Sequence, residues 1–183
     1  MASEFEILLF ILCILLSAFF SGSEVALLSI THAKVRTLLD RGGRRGRVLA
    51  DLKRSPDHII ITVLIGNTLV NVGAAAIATS IAIEVFGDTG IGIATGITVL
   101  LLLVFGEIGP KMLAVRFTEP VALAVARPIL FLAVILSPVI WVFDRLSRSM
   151  ELTKAYAKPA ITEEELKGWI ELGQEEGALE KEE

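Results

Sequence analysis

The sequence predicts an all-α integral membrane protein with three transmembrane helices, a re-entrant juxtamembrane helix–turn–helix and a cytosolic acidic helix. Two observations predict this class. First, 54% of the 183 residues are hydrophobic and the mean hydropathy is +0.70, which is more apolar than soluble domains of this size. Second, the apolar residues form runs of about 20 or more, the length at which a helix crosses a bilayer. The single cysteine, Cys13, excludes an internal disulfide framework.

The first transmembrane helix is predicted over about residues 7–31. A cleaved secretory signal begins with positive charge, whereas this chain begins with Glu4 and Glu6. We therefore expect a retained helix, with a signal peptide as the alternative.

The second and third helices are predicted over about residues 58–84 and 90–115, and charge sets their orientation. The connection before the second helix is strongly basic, and the positive-inside rule therefore predicts that it is cytoplasmic. The connection around residues 84–88 contains no Lys or Arg and fits the outer face. We expect a multi-pass protein of the plasma membrane with its N-terminus outside and its C-terminus in the cytoplasm. The basic residues are Lys34, Arg36, Arg41, Arg44, Arg45, Arg47, Lys53 and Arg54.

A fourth apolar stretch, residues 121–143, contains Pro128 and Pro138, and proline interrupts helical hydrogen bonding. A crossing here would place Arg145 and Arg148 outside, against the charge rule. We therefore expect a re-entrant helix pair over about residues 118–150 that turns near Ser137-Pro138. A fourth, kinked crossing is the alternative.

The membrane domain is expected to occupy residues 1–158, followed by an acidic helix over residues 160–183. Thr162 and Glu165 form a capping box of the type that opens a helix. We expect this helix to pack on a second subunit or on a following domain, with a solvated tail as the alternative.

Polar residues interrupt the predicted spans at similar depths. At about 1.5 Å per residue, Ser21 lies about 21 Å and Glu107 about 25 Å from the outer starts of their helices. Asn67 and Asn71 lie about 12 and 18 Å from the cytoplasmic end of the second helix. Such groups are costly inside a bilayer and commonly mark ion pathways, and Asn67 and Asn71 share one helix face.

The backbone adds a further oxygen donor. Pro110 has no N–H, so the carbonyl of Gly106 loses its helical donor beside Glu107. Carboxylate, amide, hydroxyl and carbonyl oxygens suit hard cations such as Mg²⁺, Ca²⁺ or Na⁺. No His or Cys joins the set, which disfavours zinc, copper and iron.

Each feature also has a purely structural interpretation. Asn67 and Asn71 could hydrogen-bond between helices, Glu107 could pair with Lys111, and Glu24 could pair with a neighbouring Lys. We expect no enzyme, because the sequence offers no Ser-His-Asp set and no His-Glu-x-x-His motif. We expect no nucleic-acid partner, because the basic connection is explained by orientation and anionic headgroups.

Three segments resemble those of a known family, the CNNM/CorC magnesium transporters, also labelled hemolysin-like. The segments are Phe20-Ser21-Gly22-Ser23-Glu24-Val25-Ala26, Gly66-Asn67-Thr68-Leu69-Val70-Asn71 and Phe105-Gly106-Glu107-Ile108-Gly109-Pro110-Lys111. The resemblance implies a homodimer that is embedded in membrane lipid. It also implies a cytosolic CBS-domain pair that follows the acidic helix. That pair binds ATP with Mg²⁺ in the family, and we expect no ATP site within these residues.

The resemblance also implies a site and an activity. The implied metal ligands are Ser21, Ser23, Asn67, Asn71, the Gly106 carbonyl and Glu107. The implied supporting or coupling residues are Glu24, Gly66, Pro110 and Lys111. The implied function is Mg²⁺ export coupled to Na⁺ entry by alternating access. A non-transporting Mg²⁺ sensor or scaffold, and a cation channel, are the alternatives.

Overall fold

A computed structural model describes residues 4–40, 43–87 and 91–150, and these residues form helices joined by short connections, without strands. The helices are α1 (Glu4–Ser29), α2 (His32–Asp40), α3 (Arg44–Lys53), α4 (Pro56–Phe86), α5 (Ile91–Leu101), a π-helical segment (Leu102–Ile108), α6 (Gly109–Arg116), α7 (Thr118–Ile135) and α8 (Ser137–Met150). The predicted acidic helix over residues 160–183 lies outside the described residues.

Four of the described helical segments are long and apolar enough to cross a membrane: Glu4–Ser29, Pro56–Phe86, Ile91–Arg116 and Thr118–Ile135. The predicted all-helical membrane class is therefore confirmed, and the chain is a multi-pass membrane protein. The first three segments correspond to the three predicted crossings. The fourth, of 18 residues, is near the minimum length for a crossing, so its re-entrant course stays a prediction.

Helix α1 lies at the centre of the bundle and packs against α4, α6, the π-helical segment and α7. Its side chains Ala26 and Leu27 are fully buried. Many large apolar side chains of the other spans point outward instead, as with Leu69 and Val99. That distribution is expected where lipid, rather than water, surrounds the helices.

The basic connection between the first two spans is a pair of short helices, α2 and α3, and not an irregular loop. Val35 and Leu38 of α2 are buried with Leu49 and Leu52 of α3. Helix α3 also packs on α7. The charged residues therefore occupy the outer faces of a folded cap beside the membrane spans.

The two prolines of the fourth apolar stretch differ in effect. Pro128 lies inside α7, which continues through it to Ile135. Helix α7 ends at Ile135 and α8 begins at Ser137, which places the break beside the predicted turn. Contacts divide the chain into two units, Met1–Val142 and Phe143–Glu183. Every site considered below lies within the first unit.

Candidate cation site

Three spans contribute polar groups to one cluster, which is buried at Ser17 and Gly106 and half-buried at Asn67, Asn71 and Glu107. The Ser17 hydroxyl of α1 lies 3.3 Å from Oδ1 of Asn67 on α4 and 3.4 Å from the Gly106 carbonyl oxygen. One turn along α4, Nδ2 of Asn71 donates to Oε1 of Glu107 at 3.2 Å. Gly106 and Glu107 are adjacent, and Asn67 and Asn71 are four apart on one face. The contacts therefore bring polar groups of three spans together, while the assignment of these residues as metal ligands stays a prediction.

Oγ of Ser21, one turn after Ser17 on α1, and Oδ1 of Asn71 are buried and have no hydrogen-bond partner among the described residues. Leaving a buried polar atom unpaired costs about 1–3 kcal/mol. The Ser17 hydroxyl has only one proton to donate to its two neighbouring oxygens, so one of those two oxygens keeps a free lone pair. The cluster is therefore rich in oxygen lone pairs and poor in donors, which is the requirement for binding a cation.

The backbone at Gly106 is irregular. Residues Leu102–Ile108 are π-helical, and the Gly109 N–H donates to the Val104 carbonyl, five residues earlier. Pro110 cannot donate to the Gly106 carbonyl in α-helical register or to the Phe105 carbonyl in π-helical register, because it lacks an N–H. Single π-helical turns inside α-helices occur frequently at functional sites. The sequence predicted the missing donor but not the π-helical turn.

Two glycines allow the close packing that forms the cluster. A Cβ on Gly106 would lie 2.8 Å from the Ser17 hydroxyl, and one on Gly66 would collide with the ring of Phe20. At Gly22 the nearest atom, the Pro110 carbonyl oxygen, would lie 3.6 Å from a Cβ, an ordinary contact. Gly66 therefore has a definite packing role, whereas Gly22 marks only the approach of α1 to Pro110.

The remaining predicted residues lie beside the cluster. Ser23 is buried, and its hydroxyl donates to the Phe19 carbonyl of its own helix at 2.6 Å, so only its lone pairs remain available. Lys111 pairs with Glu24 at 3.3 Å. The structural alternative of a Glu107–Lys111 pair is therefore not the arrangement found, whereas the alternative that Glu24 pairs with a lysine is.

Ser17 is the contact residue that sequence reasoning left out of the site. Its spacing of four residues from Ser21 places both hydroxyls on one face of α1, and that was the available signal. No cluster of three or more His, Cys, Asp or Glu side chains occurs among the described residues. The candidate donor set therefore consists of one carboxylate with neutral oxygens, which suits hard cations.

Comparison with known proteins agrees with the motifs. The family model of the Cyclin M (CNNM) transmembrane N-terminal domain matches residues 8–183. A UPF0053 protein of Haemophilus influenzae is 36% identical over 89% of this chain and 40% of its own length. The UPF0053 inner membrane protein YfjD of Escherichia coli is 35% identical over 74% of this chain and 32% of its own length.

A plant protein is similarly related. The chloroplastic DUF21 domain-containing protein At1g55930 of Arabidopsis thaliana is 37% identical over 92% of this chain and 26% of its own length. The chain thus spans between about a quarter and two fifths of the length of these three relatives. The near-complete match to the family model shows that this chain belongs to the CNNM transmembrane-domain family of membrane proteins.

Proposed function

We propose that this domain transports a divalent cation, Mg²⁺, outward across the membrane, coupled to inward movement of Na⁺. The observation that carries the proposal is the pair of buried, unpartnered oxygens, Ser21 Oγ and Asn71 Oδ1, beside a carboxylate and a backbone carbonyl of the third span. A cation that accepts these lone pairs would relieve the cost of burying them.

The proposed ligands are the predicted ones, Ser21, Ser23, Asn67, Asn71, the Gly106 carbonyl and Glu107, and the Ser17 hydroxyl supports them through its contacts with Asn67 and Gly106. Mg²⁺ is the favoured cargo because it binds oxygen only and is commonly held by few carboxylates. Na⁺ is bound by the same kinds of oxygen ligand, and this shared chemistry supports exchange of the two ions at one site. The chain is proposed to act without catalysing a covalent reaction.

Alternating access requires an element that differs between the two states. The candidate is the junction of the π-helical segment and α6, because broken helices at mid-membrane provide ion ligands in many transporters. The Glu24–Lys111 pair connects α1 to α6 beside this junction. We propose that this pair couples ion occupancy to movement of α6 against α1.

The proposal also covers the assembly of the domain, its topology in the membrane and the domain that follows it. A homodimer, a CBS-domain pair following the acidic helix, a re-entrant course for residues 118–150 and a cytoplasmic C-terminus are proposed on the family resemblance and the charge distribution. A plasma-membrane location fits the inner membrane named for the Escherichia coli relative. Disulfide cross-linking of single-cysteine variants in native membranes tests the dimer.

The central experiment is a flux assay in proteoliposomes with Mg²⁺ and Na⁺ varied separately. Wild-type protein should move Mg²⁺ only with a Na⁺ gradient, and Asn71→Ala should abolish the flux. Thr79→Ala is the matched control, because Thr79 lies on the same helix, is bonded to its own helix backbone and is outside the cluster. Flux without Na⁺ would indicate a channel, and Mg²⁺ binding without flux would indicate a sensor or scaffold.

A further inference from the structure

A polar cavity of about 330 Å³ lies away from the cation cluster, where two membrane spans end. Ser29 is the last residue of α1, and Arg116 is the last residue of the segment Ile91–Arg116. The end of a span lies at the level of the lipid headgroups. The cavity therefore faces the headgroup region whichever way the chain is oriented.

The charges around this cavity favour an anion. Its lining includes Lys34, Arg116 and Glu119. Lys34 and Glu119 form an ion pair at 2.8 Å, so their charges largely cancel. Arg116 lies over the ring of Phe117 at 5.6 Å and is exposed, and it pairs with none of the described carboxylates. One positive charge of this group is therefore uncompensated.

Hydroxyl groups and helix ends also line this cavity. Ser29, Thr31 and Thr118 contribute hydroxyl groups, although the Thr118 hydroxyl donates to the Ala114 and Val115 carbonyls. Helix α2 begins just after Thr31, whose side chain accepts the N–H of Lys34 at 3.3 Å, and α7 begins at Thr118. These two N-terminal ends favour anions, but the C-terminal ends of α1 and α6 reach the cavity too, so the preference for an anion comes from Arg116.

Apolar side chains next to Arg116 in the chain are exposed. Val115 and Phe117, on either side of Arg116, are 65% and 49% exposed. A free phosphate ion would make no use of these apolar side chains, whereas the acyl chains of a phospholipid would lie against them. Anionic lipids also attract basic residues at the membrane surface, by roughly 1 kcal/mol for each Lys or Arg.

We propose that this cavity, which we call the Arg116 cavity, binds the phosphate group of an anionic phospholipid. Arg116 supplies the charge, and the hydroxyl of Thr31 supplies a hydrogen bond. The Glu119 carboxylate pairs with Lys34, so the charge of Lys34 is not available to the phosphate, and this limits the affinity of the cavity for the lipid. The proposal does not depend on transport, and its test does not measure flux.

The test is a titration of the purified full chain in neutral detergent with phosphatidylglycerol, with phosphatidylcholine and with inorganic phosphate, following the thermal unfolding midpoint. Phosphatidylglycerol should raise the midpoint more than phosphatidylcholine does. Arg116→Gln should weaken the apparent affinity for phosphatidylglycerol about fivefold. Arg54→Gln is the matched control, because Arg54 is an exposed arginine outside the cavity that pairs with Asp51.

Glu119→Gln provides an independent variant with the opposite sign, since it frees Lys34 to face the phosphate and should strengthen the binding of phosphatidylglycerol. Equal affinities in Arg116→Gln and Arg54→Gln would overturn the proposal, and so would weaker binding in Glu119→Gln. If inorganic phosphate raised the unfolding midpoint as much as phosphatidylglycerol does, the proposal that the bound phosphate group belongs to a lipid would be wrong. Equal shifts with phosphatidylcholine and phosphatidylglycerol would overturn selectivity for an anionic lipid.

Discussion

Nδ2 of Asn71 donates a hydrogen bond of 3.2 Å to Oε1 of Glu107, and this bond fixes which way the amide of Asn71 points. With its nitrogen directed at the carboxylate, its oxygen Oδ1 is left buried and unpartnered among the described residues. The same bond joins the second span to the third at the π-helical segment. A single contact thus orients one proposed ligand, positions another and connects the two helices that carry them.

Replacing Glu107 with Gln should weaken Mg²⁺ binding while preserving the shape of the cluster. The substitution removes the one carboxylate of the cluster but keeps an oxygen that can accept from Asn71. Losing a charged partner costs about 1.5–3 kcal/mol, which corresponds to about 10- to 100-fold in affinity. The concentration of Mg²⁺ at half-maximal flux should rise accordingly, and an unchanged value would remove Glu107 from the ligand set.

Ser21→Ala and Ser17→Ala should separate a ligand from a supporting residue. Ser21 Oγ is buried without a partner, so its removal should leave stability without Mg²⁺ unchanged or higher, while the stabilisation on adding Mg²⁺ is reduced. Ser17 bridges Asn67 and Gly106, so its removal should cost about 1 kcal/mol without Mg²⁺. The measurement is the unfolding free energy with and without Mg²⁺. Equal behaviour of the two variants would contradict the distinction.

Much of this arrangement follows from the sequence, because apolar runs and polar interruptions fix both the spans and the depth of the polar residues. The choice of Ser17 rather than Ser21 as the hydrogen-bonding hydroxyl does not follow, since it depends on how α1 slides and rotates against α4. The π-helical turn cannot be predicted from the sequence either, because a helix can accommodate the missing N–H of a proline by several local rearrangements.

Two segments are more regularly folded than their local sequence indicates. The residues of α2 and α3 look like a solvated connection, yet Leu38 and Leu49 are buried between the two helices and the bundle. Pro128 looks like a break, yet α7 continues through it. In both cases packing against neighbouring helices supplies the stability that local propensity lacks. Such tertiary compensation cannot be inferred from a single apolar run.

Neutralising Glu24 and neutralising Lys111, which form an ion pair, should shift the Mg²⁺ concentration at half-maximal flux in opposite directions. Glu24→Gln frees the Lys111 cation, four residues from Glu107 in the same span, to repel Mg²⁺, so the Mg²⁺ concentration at half-maximal flux should rise. Lys111→Gln frees the Glu24 carboxylate to attract Mg²⁺, so that concentration should fall. Both side chains are about 40% exposed, so each shift should be about fivefold at most.

The double variant Glu24→Gln with Lys111→Gln serves as the control for that prediction. With both charges removed, the half-maximal Mg²⁺ concentration should return close to the wild-type value. Shifts of the two single variants in the same direction would show that the pair acts by holding the helices together and not by its charge.

Gly66→Ala should destabilise the bundle and Gly73→Ala should not, although both lie on α4. A Cβ at Gly66 would collide with the ring of Phe20, whereas one at Gly73 meets no atom within 4 Å. Overpacking costs about 1–3 kcal/mol, while alanine at an open helical position gains up to about 1 kcal/mol over glycine. Unfolding free energies of both variants, measured in detergent, check this difference.

A compensating substitution decides whether the collision with Phe20 is the cause. Phe20→Leu removes the ring, so adding it to Gly66→Ala should recover part of the lost stability, even though Phe20→Leu alone is destabilising. A double variant as unstable as the sum of the two single variants would place the strain elsewhere. Because Phe20 is next to Ser21, relief of the collision should also restore Mg²⁺-dependent stabilisation in the double variant.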